Sequence, residues 1–199
     1  MKIVSLPSLL TAFEGGYYTG IIKVHGVNYA IITAPIAEGE ASDIWLPEYS
    51  DVPDATSCFD SVANTHAMAT AGSPLAKWAL GLDINGFKDW VIGARDVVEV
   101  QYRNAKPSTQ HNSCSFRDGD NASSVPAGYP YTNIMPLQTT VAAFKTGGSE
   151  AFGKEIYWTS TQFSSDLACT QDFLYGTAYN GLKKFKACAR AVRLIPLED

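Results

Sequence analysis

Residues 182–195 read LKKFKACARAVRLI, and the way this stretch is paired decides the fold. Ala187, Ala189 and Ala191 recur at every second position, a strand period rather than a helical one, and small side chains there suit a close-packed inner strand. Upstream, YWTSTQFSSDLACTQDFLYG (157–176) opens on two aromatics and adds a Ser/Thr run and a small-residue turn. Strands are predicted over Glu155–Thr161, Leu167–Tyr175 and Leu182–Ile195.

Register then settles how the last two strands meet. Placing Phe173 opposite Phe185 sets Gln171 against Ala187 and Cys169 against Ala189 on one largely apolar face. The other face pairs Asp172 with Lys186, opposite charges across the ladder. A slip of one residue would carry Phe185 onto the charged face. In this register Cys169 and Cys188 point to opposite faces and are not bridged.

Working toward the start, GIIKVHGVNYAII (20–32) is predicted to be a β-hairpin with His25-Gly26 as its two-residue loop. A helix is predicted over Thr56–Ala71, with Phe59, Val62, Ala63, His66 and Ala67 at helical spacing, Asp54, Thr56 or Ser57 as cap, and Gly72 and Pro74 as stop. His66 is placed at the boundary of helix and core. A second helix runs Arg95–Asn104, with Val97, Val98 and Tyr102 on one side and Pro107 closing it. A third, short one covers Thr139–Phe144. Between them, Ser108–Pro136 is a long polar loop, of a length usually functional or packed as a compact excursion. Its DGDN (118–121) lacks the ligand pattern of a calcium loop and reads as a turn.

The composition is that of a folded globular chain: of 199 residues, 46% are hydrophobic and only 18% charged. A net charge of −5 argues against a nucleic-acid surface. The one basic cluster, Lys183, Lys184 and Lys186, reads as a solvated strand face. Cys58, Cys114, Cys169 and Cys188 form no C-x-x-C pair and read as small buried thiols. Pro7 interrupts the opening apolar run and no A-x-A-like site follows, so a secretory leader is not expected, and no stretch is long enough to span a bilayer.

Three segments in order resemble a known family. NGFKDWVIGARDVVEVQYRNAKP (85–107) is similar to the G-[YF]-x-D-W-x-[LI]-P-[ST]-x-x-E-L segment of phage and bacterial DUF1566 proteins. YWTSTQ, QDFLYG and ARAVR resemble that family's Y-W-S-S-T…F-x-x-G…V-R-x-V-R ending, and GGYYTGIIKVHGVNYAIITAP resembles its opening hairpin. Gly93 and Ala94 stand where the family has Pro and Ser/Thr, which removes a side-chain helix cap. The resemblance implies an α+β, C-type-lectin-like fold over residues 1–199 as a single domain: the hairpin at 20–32, two or three helices, long loops, and a twisted antiparallel sheet over 155–195 whose last strands lie centrally. It also implies that Arg190 and Arg193 are structural, bonding loop carbonyls or carboxylates.

By the same resemblance the chain is expected to be a phage virion protein, a tail-fibre or receptor-binding component, synthesised in the host cytoplasm. Gln162, Phe163, Asp172, Tyr175, Tyr179 and Asn180 are its candidate ligand-binding residues, because Tyr and Asn give contact area and adaptable hydrogen bonds at low entropic cost. Expected partners are other virion subunits, a host-surface receptor and further copies of the chain, with neither nucleic acid nor membrane insertion. A structural decoration or fibre protein of head or tail is the alternative. A formylglycine-generating type of enzyme shares the fold class, but the scattered cysteines and histidines supply no reactive pair or triad, so no catalytic residue, metal or cofactor is expected. The carbohydrate triplets of calcium-dependent lectins are missing, so sugar recognition would run through aromatics such as Tyr129, Tyr131, Phe163 and Tyr179.

Overall fold

The computed structural model describes residues 6–115 and 117–197. They form a mixed α/β fold in which ten strands and few helices share one sheet system. A short strand, β1 (Ala12–Phe13), leads into the expected hairpin, β2 (Gly16–Val24) and β3 (Val27–Thr33), which extends past both predicted ends. His25 and Gly26 have φ of 48° and 87°, a pattern whose twist matches that of the flanking strands.

After one helical turn, α1 (Ile36–Gly39), come β4 (Glu40–Ile44), a 3-10 turn at Pro53–Ala55, α2 (Ser61–Thr70) and α3 (Pro74–Leu80). The predicted start of α2 was too early. Asp60 is the cap, its carboxylate accepting the Ala63 N–H at 2.9 Å, while the Ser57 hydroxyl holds a turn ahead of it. The buried face also differs from the predicted one: Ser61, Asn64, Thr65 and Met68 are inside, whereas Val62 and His66 face solvent. The inward hydroxyls and amide bind neighbouring backbone, with Ser61 Oγ accepting from Ala94 and Thr65 Oγ1 from Ile92. Burying a polar group is cheap when it is bonded, so apolar spacing did not decide the face. The helix α3 was not predicted, although Ser73 caps it and Pro74 occupies its first turn.

β5 (Val91–Ile92) precedes α4 (Arg95–Ala105), the expected second helix, with Val97, Val98 and Tyr102 buried. Ala94 offers no cap, and tertiary contacts replace it: the Arg95 N–H donates to Thr161 Oγ1 at 2.9 Å and the Asp96 N–H to the Cys58 carbonyl at 2.8 Å. The long 108–136 segment contributes β6 (Ser124–Val125), which pairs with β2, and folds back on α4. Asn121 donates to the Asp96 carbonyl and to Glu99, and the Tyr131 hydroxyl donates to Glu99 Oε1. Tyr131 is therefore buried and cannot offer its ring to a sugar. The DGDN stretch forms a turn at Gly119, and a 3-10 turn at Ala142–Phe144 stands where a helix over Thr139–Phe144 was expected.

The last four strands are β7 (Ile156–Gln162), β8 (Leu167–Asp172), β9 (Ala178–Leu182) and β10 (Lys186–Pro196). The main path of the sheet runs β1-β2-β3-β10-β7-β8-β9, and this overturns the predicted register. β8 pairs with β7 and β9, not with β10: Gln171 lies opposite Tyr157 and Ala178, Cys169 opposite Asn180, and Lys186 opposite Ile44 rather than Asp172. Ala187 and Ala189 pair with Asp43 and Ala41 of β4. The cause is a tight reversal at Gly176, whose φ is 74° and whose N–H donates to the Asp172 carbonyl at 2.8 Å. The reversal yields β9 where a continuous strand to Tyr175 was expected.

Phe173, fully buried, stacks on Phe152 at 4.2 Å between ring centroids and meets Tyr102 edge-on at 5.5 Å. Phe185 sits in the β9–β10 turn, 62% exposed. An enclosed aromatic cluster removes far more surface from water than one cross-strand pair at an edge would.

The central position of β10 agrees with the expectation. Its first half pairs with β4 and makes a parallel bridge to β7, and its second half pairs with β3 and β5. Ala189 and Ala191 are fully buried. Arg190 donates to the Ala34 and Glu150 carbonyls and pairs with the Glu150 carboxylate; Arg193 binds Asp89 and the Glu14 carbonyl. Both arginines are structural.

Two composition-based expectations fail. Lys183 is wholly buried rather than solvated: its ammonium donates to Gln162 Oε1 at 2.6 Å and the Ser50 carbonyl at 2.8 Å and lies over the Trp45 ring. A long aliphatic stem and a cation–π contact allow this burial. The thiols are free, but Cys114 is exposed, and only Cys169 is fully buried. No helix among the described residues is long and apolar enough to cross a membrane.

Candidate functional site

The six candidate residues fall at three places along β7–β9. At one end, Gln162 closes β7 and Phe163 opens the turn to β8. Gln162 faces inward: its carbonyl accepts from the Val52 N–H and from Lys183, and its amide donates to Asp51. Only 6% of it is exposed, so it holds the 50–52 segment against the sheet. The Phe163 N–H donates to the Leu167 carbonyl at 2.9 Å, and the residue is 54% exposed.

At the other end, Asp172 and Tyr175 belong to the β8–β9 turn. The Asp172 carboxylate accepts the Leu174 N–H at 2.6 Å and its own N–H donates to Thr177, so this residue shapes the turn. Tyr175 is 45% exposed and, with Gln110, His111, Asn112 and Thr177, lines an open polar groove of about 580 Å³. The Ser113 N–H donates to the Tyr175 carbonyl at 2.7 Å and ties the groove wall to the turn.

Tyr179 and Asn180 lie on β9, the edge strand. Alternation along a strand sends their side chains to opposite faces. Tyr179 is 70% exposed, and Asn180 borders a narrow cleft between the sheet and α4 that sequence reasoning missed. Arg95, Glu99, Arg117, Asp120, Cys169 and Gln171 line the rest of it. Nothing in residue spacing pointed to this cleft, since its walls come from three segments remote in sequence.

Its electrostatics are mostly closed within the protein. Arg95 pairs with Asp96 at 2.8 Å, and Glu99 receives Arg103, Asn121 and Tyr131. Burial pushes the Cys169 thiol up to about 11, the Cys58 thiol adding to the effect and Arg95 and Arg117 opposing it. Burial likewise raises Cys58. Both thiols are thus protonated near neutrality and are weak nucleophiles. Among the described residues no three His, Cys, Asp or Glu side chains gather as a metal site. The geometry offers stacking and hydrogen bonding: three solvent-facing rings, Phe163, Tyr175 and Tyr179, fixed on a hydrogen-bonded sheet.

Comparison with known proteins finds no matching family model, no matching curated protein and no matching solved structure.

Proposed function

We propose that the chain is a C-type-lectin-like binding module of the DUF1566 type, acting in a phage virion as a tail-fibre or receptor-binding component rather than as an enzyme. The observation that carries this reading is the contrast along β7–β9. β7 and β8 are mostly buried and locked by side-chain bonds, whereas Phe163 and Tyr175 project from their ends and Tyr179 from the half-buried edge strand β9. Rigid aromatics on a fixed scaffold make an efficient contact surface, because little conformational freedom is lost on binding.

Two further features support the lectin-like reading. The hairpin near the start and the late strand β10 are neighbours in the sheet, and two of the longer helices, α2 and α4, lie between them in sequence. The ligand is a surface component of the host cell, and the module works alongside other virion subunits.

The test is binding of purified protein to host cells together with competition of phage adsorption. Saturable binding that blocks adsorption supports the proposal. Firm association with purified head or tail particles, without host binding, overturns it in favour of a structural virion part.

A further inference from the structure

Six large apolar side chains left exposed by the fold gather on one face, away from β7–β9. Leu9, Val125, Tyr129, Met135 and Leu137 rim a groove of about 530 Å³, and Ile134 stands beside it. Tyr18 and Ile21 of β2 and Val100 of α4 form the floor. Exposure of the six runs from 36% at Val125 to 64% at Ile134 and Leu137. The polar side chains of the groove are already engaged. Arg103 pairs with Glu99, donates to Ser124 and lies over the Tyr129 ring, and the Asn104 amide donates to the Thr19 carbonyl at 2.7 Å. Covering this face therefore strands no charge.

The same face carries a knob as well as a hole. The Thr132 N–H donates to the Met135 carbonyl at 2.9 Å and the Met135 N–H to Thr132 Oγ1 at 3.0 Å, which closes a turn bearing Ile134. The Asn112 amide binds the Thr132 and Pro136 carbonyls from beneath, and Lys106 binds the Pro136 carbonyl as well. Ile134 is thus set in place before any contact is made, and little freedom is lost when it docks. Leu137 lines both the groove and the hollow beneath Ile134, so it lies between knob and hole.

Area points to the occupant. Side chains of this size at these exposures leave on the order of 500 Å² of apolar surface bare, toward the upper end of the largest patch on an ordinary monomer. A stable interface covers roughly 800 Å² per partner, about 65% of it apolar where like copies meet, which again is about 500 Å². A two-fold contact requires each copy to offer both knob and hole on one surface, and this face does. Charge agrees: a chain of net charge −5 meets its own copy at least cost over a face without free charge.

We propose that this face joins two copies of the chain about a two-fold axis beside Leu137, with Ile134 of each copy entering the groove of the other. The pairing uses none of Phe163, Tyr175 and Tyr179 and does not depend on the receptor-binding reading.

The test is sedimentation of the full chain over a concentration series to a few hundred micromolar, with hydrogen exchange in parallel. A monomer–dimer equilibrium is expected, with the Ile134 and Leu137 amides slowed in the dimer only. Ile134→Glu and Leu137→Glu replace exposed side chains, so each should keep the native circular dichroism and weaken association at least tenfold. Phe185→Glu adds the same charge at an exposed site in the β9–β10 turn and should leave association unchanged. Should one variant at the face fail to fold, the other and the exchange pattern decide. A chain monomeric throughout overturns the proposal, and so does a monomer whose Ile134 and Leu137 amides are already protected, since its own chain then covers the face. An assembly larger than a dimer, a dimer indifferent to the folded variants at the face, or one weakened equally by Phe185→Glu overturns it too.

Discussion

The ammonium of Lys183 donates to Gln162 Oε1 at 2.6 Å with no carboxylate in direct contact, so a buried cation is held by neutral acceptors alone. Burial lowers its pKa to about 8, with Asp51 and Asp166 opposing the drop. An unfolded lysine titrates near 10.4, so between about pH 8 and 10.4 the unfolded chain binds the extra proton and stability from this group rises with pH. The expected outcome is a gain of about 3 kcal/mol for the native protein relative to Lys183→Met across that window. Urea denaturation of both proteins at pH 7.5 and 10.5 measures it; a constant gap between them would refute the burial argument.

Gln162 and Tyr179 differ in burial, 6% against 70% exposed, a contrast that sequence alone did not show. Tyr179→Ala and Phe163→Ala are expected to leave stability within about 0.5 kcal/mol while weakening attachment to host cells. Gln162→Ala should lower stability by about 1–3 kcal/mol, since it strands the Val52 N–H and the Lys183 ammonium. Thermal denaturation alongside a cell-binding titration distinguishes the two patterns.

Arg190 and Glu150 form an enclosed ion pair whose arginine side chain is fully buried. Removing one partner leaves the other charge without compensation, so Glu150→Ala is expected to cost about 3–5 kcal/mol in denaturant unfolding. Arg193→Ala, whose partner Asp89 is 59% exposed, should cost clearly less.

Gly176 and Gly26 both have positive φ, but their surroundings differ. A Cβ at Gly176 would come within 2.3 Å of the Tyr102 ring, while at Gly26 nothing lies within 4 Å. Gly26→Ala should cost about 1–2 kcal/mol from the backbone alone. Gly176→Ala adds the clash and should cost at least twice that in the same unfolding assay.

Thr161 replaces the cap that Ala94 lacks. Thr161→Val removes the acceptor of the Arg95 N–H and the donor to the Ser57 carbonyl, with an expected loss of about 1–2 kcal/mol. Helix amides at the start of α4 should exchange faster in the variant.

What could be read from residues alone was local. The β2–β3 hairpin was legible because His25-Gly26 dictates its loop, and α4 because its apolar spacing ends at Pro107. The alternating alanines correctly announced an inner strand. Pairing partners were not legible, because Phe173 could satisfy itself against Phe185 or against Phe152, Tyr102 and Tyr157, and only the tertiary fold brings those three together. The short edge strand β9 hid behind Gly176 and Gly181, residues that read as turn. Lys183 looked solvated because nothing nearby in sequence announces Trp45 or Gln162. Of the candidate binding residues, Phe163, Tyr175 and Tyr179 have exposed rings, whereas Gln162 serves the interior, and the α4 cleft escaped notice.

β10 joins β3, β4, β5 and β7, and Arg190 alone reaches back 156 residues to Ala34. Such a seam closes late, after long loops have been drawn together, which slows acquisition of the native state. Once closed, it makes the two flanks of the molecule melt as one: peeling away either flank exposes a strand the other still needs.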